Sequence, residues 1–487
     1  MRTVPIVLLA LAACRPATPG PTPTPTRESS PLSIEPFPFK SSTGVEIPAE
    51  LGSMQVPEQR GNPSSRMITL RFVRFRSTAA NPGPPIVYLA GGPGASGIAT
   101  AAGARFPIFQ ALREVADVIA LDQRGTGRSN AIAPCVPAAA PTGPVFATRD
   151  SIIAGYRHDL LHCFDRWTAQ GVAIDGYNTR ESAADLDALR RALGVEKISL
   201  WGISYGSHLG LATLKYHGPG IHRAVFAGIE GLDQTVKRPA VFDELVGRVQ
   251  QLINQDSVAR QAYPDLAGTM RAVHAQLNRS PVRVTLPAGG GRAETIITFD
   301  AFPVQLLIGG VMADPSGIAQ VPMLYREMAA GRYQQIATLI CRQICPTTLS
   351  YRGMPEAMDL ASGISTSRLA LIRQEAERAL MGDAINFPMP QLMGLRPSLD
   401  VGDAFRQPVQ SEVPTLFISG TLDGRTSPTE AAEERRGLRN GTQLIVENGG
   451  HNIFEADRRV AAAVVSFFRG EPVPTNIRLD PPKFIVR

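Results

Sequence analysis

Ser204, Asp423 and His451 are the side chains of this 487-residue sequence whose types and order suit serine-based acyl transfer. Ser204 is the centre of Gly202-Ile203-Ser204-Tyr205-Gly206, a G-x-S-x-G. An apolar run, 198–201, enters it, and a helix-patterned run, 208–216, leaves it. Strand, sharp turn and helix are the context of a nucleophile elbow. A Cβ two residues before or after the serine would obstruct that turn, so glycine suits both places. The serine would then stand at a helix N-terminus, where the dipole favours a developing anion. From the pentapeptide alone, a glycine-rich turn that happens to hold a serine remains the alternative, and the rest of the chain must decide.

A serine hydroxyl is a weak nucleophile until a base takes its proton. His451 follows the apolar run 443–446 in Asn448-Gly449-Gly450-His451, and Asp423 follows the apolar run 414–419. Each candidate therefore trails a predicted strand, which places all three at one edge of a sheet. His451 would pass the proton to the leaving group, and Asp423 would fix its tautomer and stabilise the imidazolium. The other six histidines lack this context. His208 lies one turn into the elbow helix, His217 and His222 flank a Gly-Pro turn, and His158, His162 and His274 fall on helical patterns. Asp403, in cap-like sequence upstream, is the competing carboxylate.

The elements that must position these residues read as a strand–helix alternation. Residues 66–76 alternate as an antiparallel strand, 85–89 form a short buried strand, and 115–121 form the next. Thr179 fits an N-cap for an amphipathic helix that Gly194 closes. Residues 224–229 form a further strand, ending at Glu230 and Asp233. From 235 to 410 the alternation stops and helical patterns dominate, with one β-like interlude at 282–299. After the 85–89 strand comes Ala90-Gly91-Gly92-Pro93-Gly94. It lacks the Lys-Ser/Thr of a phosphate loop. The reading preferred is an oxyanion loop, in which N–H groups of Gly91 or Gly92 join that of Tyr205 in facing a reacting carbonyl oxygen.

The Gly-Gly-Pro-Gly after one strand and Asp122-Gln123-Arg124-Gly125-Thr126-Gly127-Arg128-Ser129 after the next resemble the proline iminopeptidase and tripeptidyl aminopeptidase-like branch of the α/β-hydrolases. Ala90 stands where proline iminopeptidases usually carry His, which points toward the tripeptidyl aminopeptidase-like members. The resemblance covers about residues 60–235 and 405–470. It implies an α/β fold: a mostly parallel central sheet flanked by helices, with a mainly helical inserted cap. The organisation expected is a signal segment 1–13, a tether 14–40, core 41–234, cap 235–410 and core 411–487. The 122–129 loop is expected to brace the site through a buried Asp/Arg pair.

The N-terminus reads as an export signal. Met1-Arg2 precedes a short apolar run, 4–13, far below the ~20 residues that span a bilayer. Leu11-Ala12-Ala13-Cys14 resembles a bacterial lipobox, which implies lipidation of Cys14. Arg15 after the cysteine, by resemblance to lipoprotein sorting, points to the outer membrane facing the periplasm. Residues 15–31 are a Pro/Thr tether. Export suits paired cysteines. The simplest pairing is Cys135 with Cys163 and Cys341 with Cys345, one of three connectivities that four cysteines allow. A 135–163 bridge also resembles one in secreted members of the family. No histidine lies close to the C-x3-C of 341–345, so a metal site is not expected there. Net charge is +6 with dispersed cations, which argues against nucleic acid as a partner.

The expectation is a lipid-anchored serine hydrolase without a cofactor, releasing short N-terminal units from peptides. Such an enzyme needs an anion for the substrate α-ammonium, and Glu230, Asp233 or a cap carboxylate would serve. An esterase or amide hydrolase with the same triad is the second reading. A non-catalytic binding lipoprotein is the third, and the complete triad argues against it.

Overall fold

The computed structural model describes residues 32–130, 132–136, 144–289, 293–345 and 350–486. The signal segment, Cys14 and the tether up to residue 31 lie outside the described residues. Thirteen strands are present among them: β1 (Ser33–Lys40), β2 (Glu46–Pro57), β3 (Met67–Phe75), β4 (Gly83–Leu89), β5 (Ala116–Asp122), β6 (Val145–Ala147), β7 (Ile198–Ile203), β8 (Ile221–Ala227), β9 (Val282–Leu286), β10 (Thr295–Phe299), β11 (Thr415–Gly420), β12 (Gly441–Glu447) and β13 (Asn476–Arg478).

Ten of them form one sheet in the order β1-β2-β3-β5-β4-β7-β8-β11-β12-β13. β1, β2, β3 and β5 pair antiparallel. From β5 through β4 to β13 every pairing is parallel. The central strands β7 and β11 are buried at every residue, as expected where helices cover both faces. One face carries Leu200 and Phe226 under Leu209 of the elbow helix Tyr205–His217, and the other carries Trp201, Val225 and Ile418 under the closing helix Arg458–Arg469. The chain crosses over between β5 and β4 and again between β7 and β4, which opens the sheet's carboxyl edge for ligands.

Two boundaries differ from the sequence reading. The last eight residues of the expected 14–40 tether are β1, paired with β2 from Ser33↔Ser53 to Lys40↔Glu46. Pro36 and Pro38 disguised it. They share parity on an edge strand, where a missing N–H can face the open side. The 235–410 segment also does not pack as one unit. Residues from Phe242 to Cys345, joined by Leu380, Met381 and Ile385, build a separate hydrophobic cluster that also takes in Ala147 and Leu422. Strand β6 pairs parallel with β10 of the β9–β10 hairpin, so a piece from before the elbow joins that layer. By contrast Tyr351, Met354, Met358, Leu392 and Phe405 pack into the core beside the elbow helix.

Both cysteine pairs are bonded, Cys135 to Cys163 and Cys341 to Cys345. The first ties the loop after the 122–129 segment to the helix Arg149–Ala169. Among the described residues no helix is long and apolar enough to cross a membrane.

Candidate active site

Ser204 sits between β7 and the helix Tyr205–His217 with φ 56° and ψ −128°. A non-glycine residue in that region is strained, and the strain is what projects the side chain at a strand-to-helix turn. The flanking glycines have the steric role expected of them. A Cβ on Gly206 would fall 2.0 Å from Leu89 O, and one on Gly202 would fall 2.6 Å from Gly206 O. Gly91 packs against the serine itself: its Cβ would lie 3.0 Å from Ser204 Cβ and 3.6 Å from Ser204 Oγ. The N–H of Tyr205 stands at the N-terminus of the elbow helix. Gly92 adopts φ 116°, and Gln123 Nε2 supports the loop by donating to Ala90 O at 2.9 Å.

His451 Nδ1 lies 2.8 Å from Asp423 Oδ2. A carboxylate accepts only, so Nδ1 carries the proton and Nε2 is left with its lone pair. Asp423 also accepts from Thr426 Oγ1 at 2.6 Å, Arg425 N at 2.7 Å and Thr426 N at 3.0 Å. Burial alone would raise the carboxyl. The His451 charge and the hydrogen bonds from His451 and Thr426 outweigh it and hold Asp423 below the usual carboxylate range. The Asp423 side chain is 1% exposed and that of His451 14%, so the carboxylate is enclosed while the imidazole is partly open. Asp403 is elsewhere, paired with Arg406 at 2.9 Å.

The serine and the histidine converge on the end of β8. Ser204 N–H donates to Ala227 O at 3.0 Å. The next residue, Gly228, has φ 53°, and a Cβ there would lie 2.9 Å from His451 Cε1. Glycine is required at this point by both conformation and space.

Two of the other histidines are buried in packing contacts. His208 is buried between Gly231 O and Ser362 Oγ, and burial lowers its pKa. His274 is buried between Leu380 O and Tyr325 Oη. The 122–129 loop does brace the site through a buried Asp/Arg pair, whose acid comes from outside the loop. Arg124 is fully buried and bidentate to Asp185 of the helix Thr179–Ala192, with 2.8 Å to each oxygen. Asp122 instead takes Ile98 N–H at 3.0 Å and Ser96 Oγ at 2.5 Å, anchoring the stretch that follows Gly91-Gly92. Asn178, not Thr179, caps that helix, accepting from Glu181 N.

The two carboxylates expected at an ammonium pocket are already partnered. Glu230 lies 2.7 Å from Lys237 Nζ. Asp233 accepts from Ser365 N at 2.8 Å and Ser365 Oγ at 2.5 Å. Asp359, which sequence reasoning did not single out, differs from both. It sits on the helix Met354–Ser362, where Met358 Sδ accepts from Tyr205 Oη at 3.0 Å and Pro355 crowds Gly94. Among the described residues its carboxylate has no hydrogen-bond or ion-pair partner. Burial raises its pKa to about 7, with Glu230 and Glu356 adding to the rise and Lys237 and Arg425 opposing it. Its signal in the sequence was an acid inside the apolar run Met358-Asp359-Leu360-Ala361. Thr426 was also missed, and its signal was a hydroxyl three residues after Asp423.

Residues 84–289 match the family model for the alpha/beta hydrolase fold, and residues 395–477 match the model described as TAP-like protein. The chain has the α/β-hydrolase fold, and the segment that matches the TAP-like model carries Asp423 and His451. A tripeptidyl aminopeptidase of Streptomyces lividans is 29% identical over 181 residues, 34% of this chain and 32% of that protein. Serine protease Hip1 of Mycobacterium tuberculosis is 30% identical over 193 residues, 37% of this chain and 36% of that protein. The chain spans about a third of the length of the curated relatives it matches. An epoxide hydrolase from an endophytic Streptomyces aligns over 92% of this chain and 99% of its own, at 15% identity and a TM-score of 0.39.

Proposed function

We propose that the chain is a serine exopeptidase that releases short units from the free N-terminus of peptides. The observation that carries the reading is the convergence of a strained Ser204 and a His451–Asp423 pair at one end of the sheet. The names of the relatives, a tripeptidyl aminopeptidase and a serine protease, supply the substrate class.

In this mechanism Ser204 Oγ attacks the scissile carbonyl carbon while His451 Nε2 takes its proton. The carbonyl π electrons move to oxygen, and the oxyanion meets the N–H of Tyr205 and one from Gly91 or Gly92. The C–N bond then breaks, and the proton on His451 passes to the departing amine. Water, deprotonated by His451, attacks the acyl-enzyme, and Ser204 recovers its proton as the acid leaves. Asp423 remains ionised throughout and steadies the imidazolium.

The α-ammonium of the substrate is held by Asp359, since Glu230 is already engaged by Lys237. An unpartnered carboxylate in a buried setting is otherwise costly, and a bound cation would offset that cost. Asp233 has no part in this reading, because both its oxygens are engaged by Ser365. Ester cleavage needs no ammonium site, so the same triad acting on esters is the second reading. Comparing tripeptidyl anilides, their N-acetylated forms and short-chain nitrophenyl esters on one sample separates the two. Equal turnover of free and N-blocked anilides removes the exopeptidase reading.

In this reading the chain works at the bacterial cell envelope, exported and held by lipid on Cys14 at the outer membrane. The lipobox-like Leu11-Ala12-Ala13-Cys14 and the two disulfides support this. Loss of radiolabelled-palmitate incorporation in Cys14→Ser tests it, and equal incorporation in wild type and variant contradicts it.

A further inference from the structure

The turn Met312-Ala313-Asp314 lies between the helix Ala301–Val311 and the short helix Pro315–Ile318, far in sequence from either catalytic loop. It touches both. Ala313 O accepts from His451 N at 2.8 Å. Asp314 Oδ1 accepts from Asn452 N at 2.9 Å, and Asp314 Oδ2 accepts from Asn452 Nδ2 at 2.7 Å. A Cβ on Gly450 would fall 2.5 Å from Asp314 Oδ1, so the close approach is possible only beside glycine. Met312 O sits equally close to the other loop: a Cβ on Gly424, next to Asp423, would meet it at 2.4 Å.

Asp314 occupies the N-cap place of its own short helix, where an acidic side chain ordinarily accepts backbone N–H bonds. Its side chain makes no such bond. Both oxygens are turned to Asn452 instead. From the opposite side Arg105 Nη2 donates to Asn452 Oδ1 at 3.0 Å. Arg105 is itself buried against Tyr88 of β4, to whose hydroxyl it donates, and its Nε lies 2.7 Å from Glu455 Oε1. The residue after His451 is thus held between an inserted segment and the sheet.

We infer that Asp314 is a positioning residue for His451, acting through Asn452. Asn452 is exposed. Exposed pairs contribute little to stability, so the clamp's effect is on geometry. The inference rests on His451 being the general base, and its test keeps that premise separate. Phosphonylation of Ser204 by a fluorophosphonate forms an O–P bond and expels fluoride, and it requires the same proton transfer whatever the natural substrate. Labelling of the wild type that is lost in His451→Ala secures the premise by itself.

Displacing a catalytic group by about 1 Å costs on the order of 100-fold in rate. Asp314→Ala and Asn452→Ala are therefore each expected to lower the labelling rate and kcat by about 10- to 100-fold, with KM within about twofold and the melting midpoint nearly unchanged. The exchanged pair Asp314→Asn with Asn452→Asp restores one acceptor and one donor across the gap, and it is expected to recover most of the rate lost in Asp314→Asn alone. Should Asp314→Ala fail to fold, Asn452→Ala removes the Nδ2 bond to Asp314 and the Arg105 contact from the other side, leaving only the bond from the backbone N–H of residue 452. Labelling within about twofold of wild type in both alanine variants, or an exchanged pair no faster than the slower single variant, overturns the inference.

Discussion

Asp423 Oδ2 is 2.8 Å from His451 Nδ1 and also receives the Thr426 hydroxyl at 2.6 Å. The carboxylate thus orients the imidazole while being oriented itself. Asp423→Asn would place an amide opposite Nδ1 and favour the wrong tautomer. The expected loss is about 10³–10⁴-fold in kcat with an unchanged fold, as in serine triads generally. Because the native carboxyl is held below its ordinary 3.8, Asp423 adds no limb to the pH–rate profile above that value. A steady-state profile of wild type and variant checks both statements, and an Asn variant within about tenfold of wild type would remove Asp423 from the mechanism.

Asp359 titrates near 7 in the folded chain, whereas an unfolded aspartate releases its proton near 3.8. Between those values the native state binds more protons, so stability falls as pH rises and then levels off above about 7. Asp359→Asn removes that slope. If Asp359 holds the substrate ammonium, the same variant raises KM for peptides with a free N-terminus and leaves short-chain esters unaffected. Urea unfolding at about pH 5 and about pH 8, alongside the two substrate classes, separates the effects.

His274 is buried without a carboxylate, and its pKa is pushed down from 6.5 to about 4. The unfolded chain takes up a proton in that window and the folded chain does not. Stability is therefore expected to fall as pH drops from 6.5 toward about 4. His274→Gln would flatten this acid limb without changing Ser204 labelling. Thermal melts across that range decide it, and an unchanged slope in the variant contradicts the assignment.

Arg124 is fully buried and bidentate to Asp185, with further bonds to Glu58 O and Gly176 O. Arg124→Met leaves Asp185 beneath the site with one partner fewer, Arg60 at 2.6 Å. Breaking a buried pair from one side typically costs about 3–5 kcal/mol. Denaturant unfolding of the variant should show a loss of that order, and a change under about 1 kcal/mol would mean the network is dispensable.

The sequence carried the sheet's centre and the candidate triad because those features are local. Ser204 announces itself through two glycines whose absent side chains make room for Leu89 O and Gly206 O. His451 and Asp423 each follow a short apolar strand. What stayed illegible depends on chain segments brought together from afar. Asp314 reaches Asn452 across 138 positions, and no local pattern encodes that contact. A buried Asp/Arg pair is legible from the 122–129 loop, but the acid that Arg124 meets lies 61 positions on, at Asp185, and no local pattern names it. The acids chosen for the ammonium, Glu230 and Asp233, were named from their place after β8, but Lys237 and Ser365 engage them. β1 was read as tether because Pro36 and Pro38 resemble linker composition, and an edge position tolerates them.

The most direct test of the exopeptidase reading is mass-spectrometric mapping of products from a peptide library offered with free and with acetylated N-termini. The account predicts short N-terminal fragments from the free peptides alone, none from the acetylated ones, and none from Ser204→Ala. Internal cleavage, or equal cleavage of both sets by wild type, would contradict it.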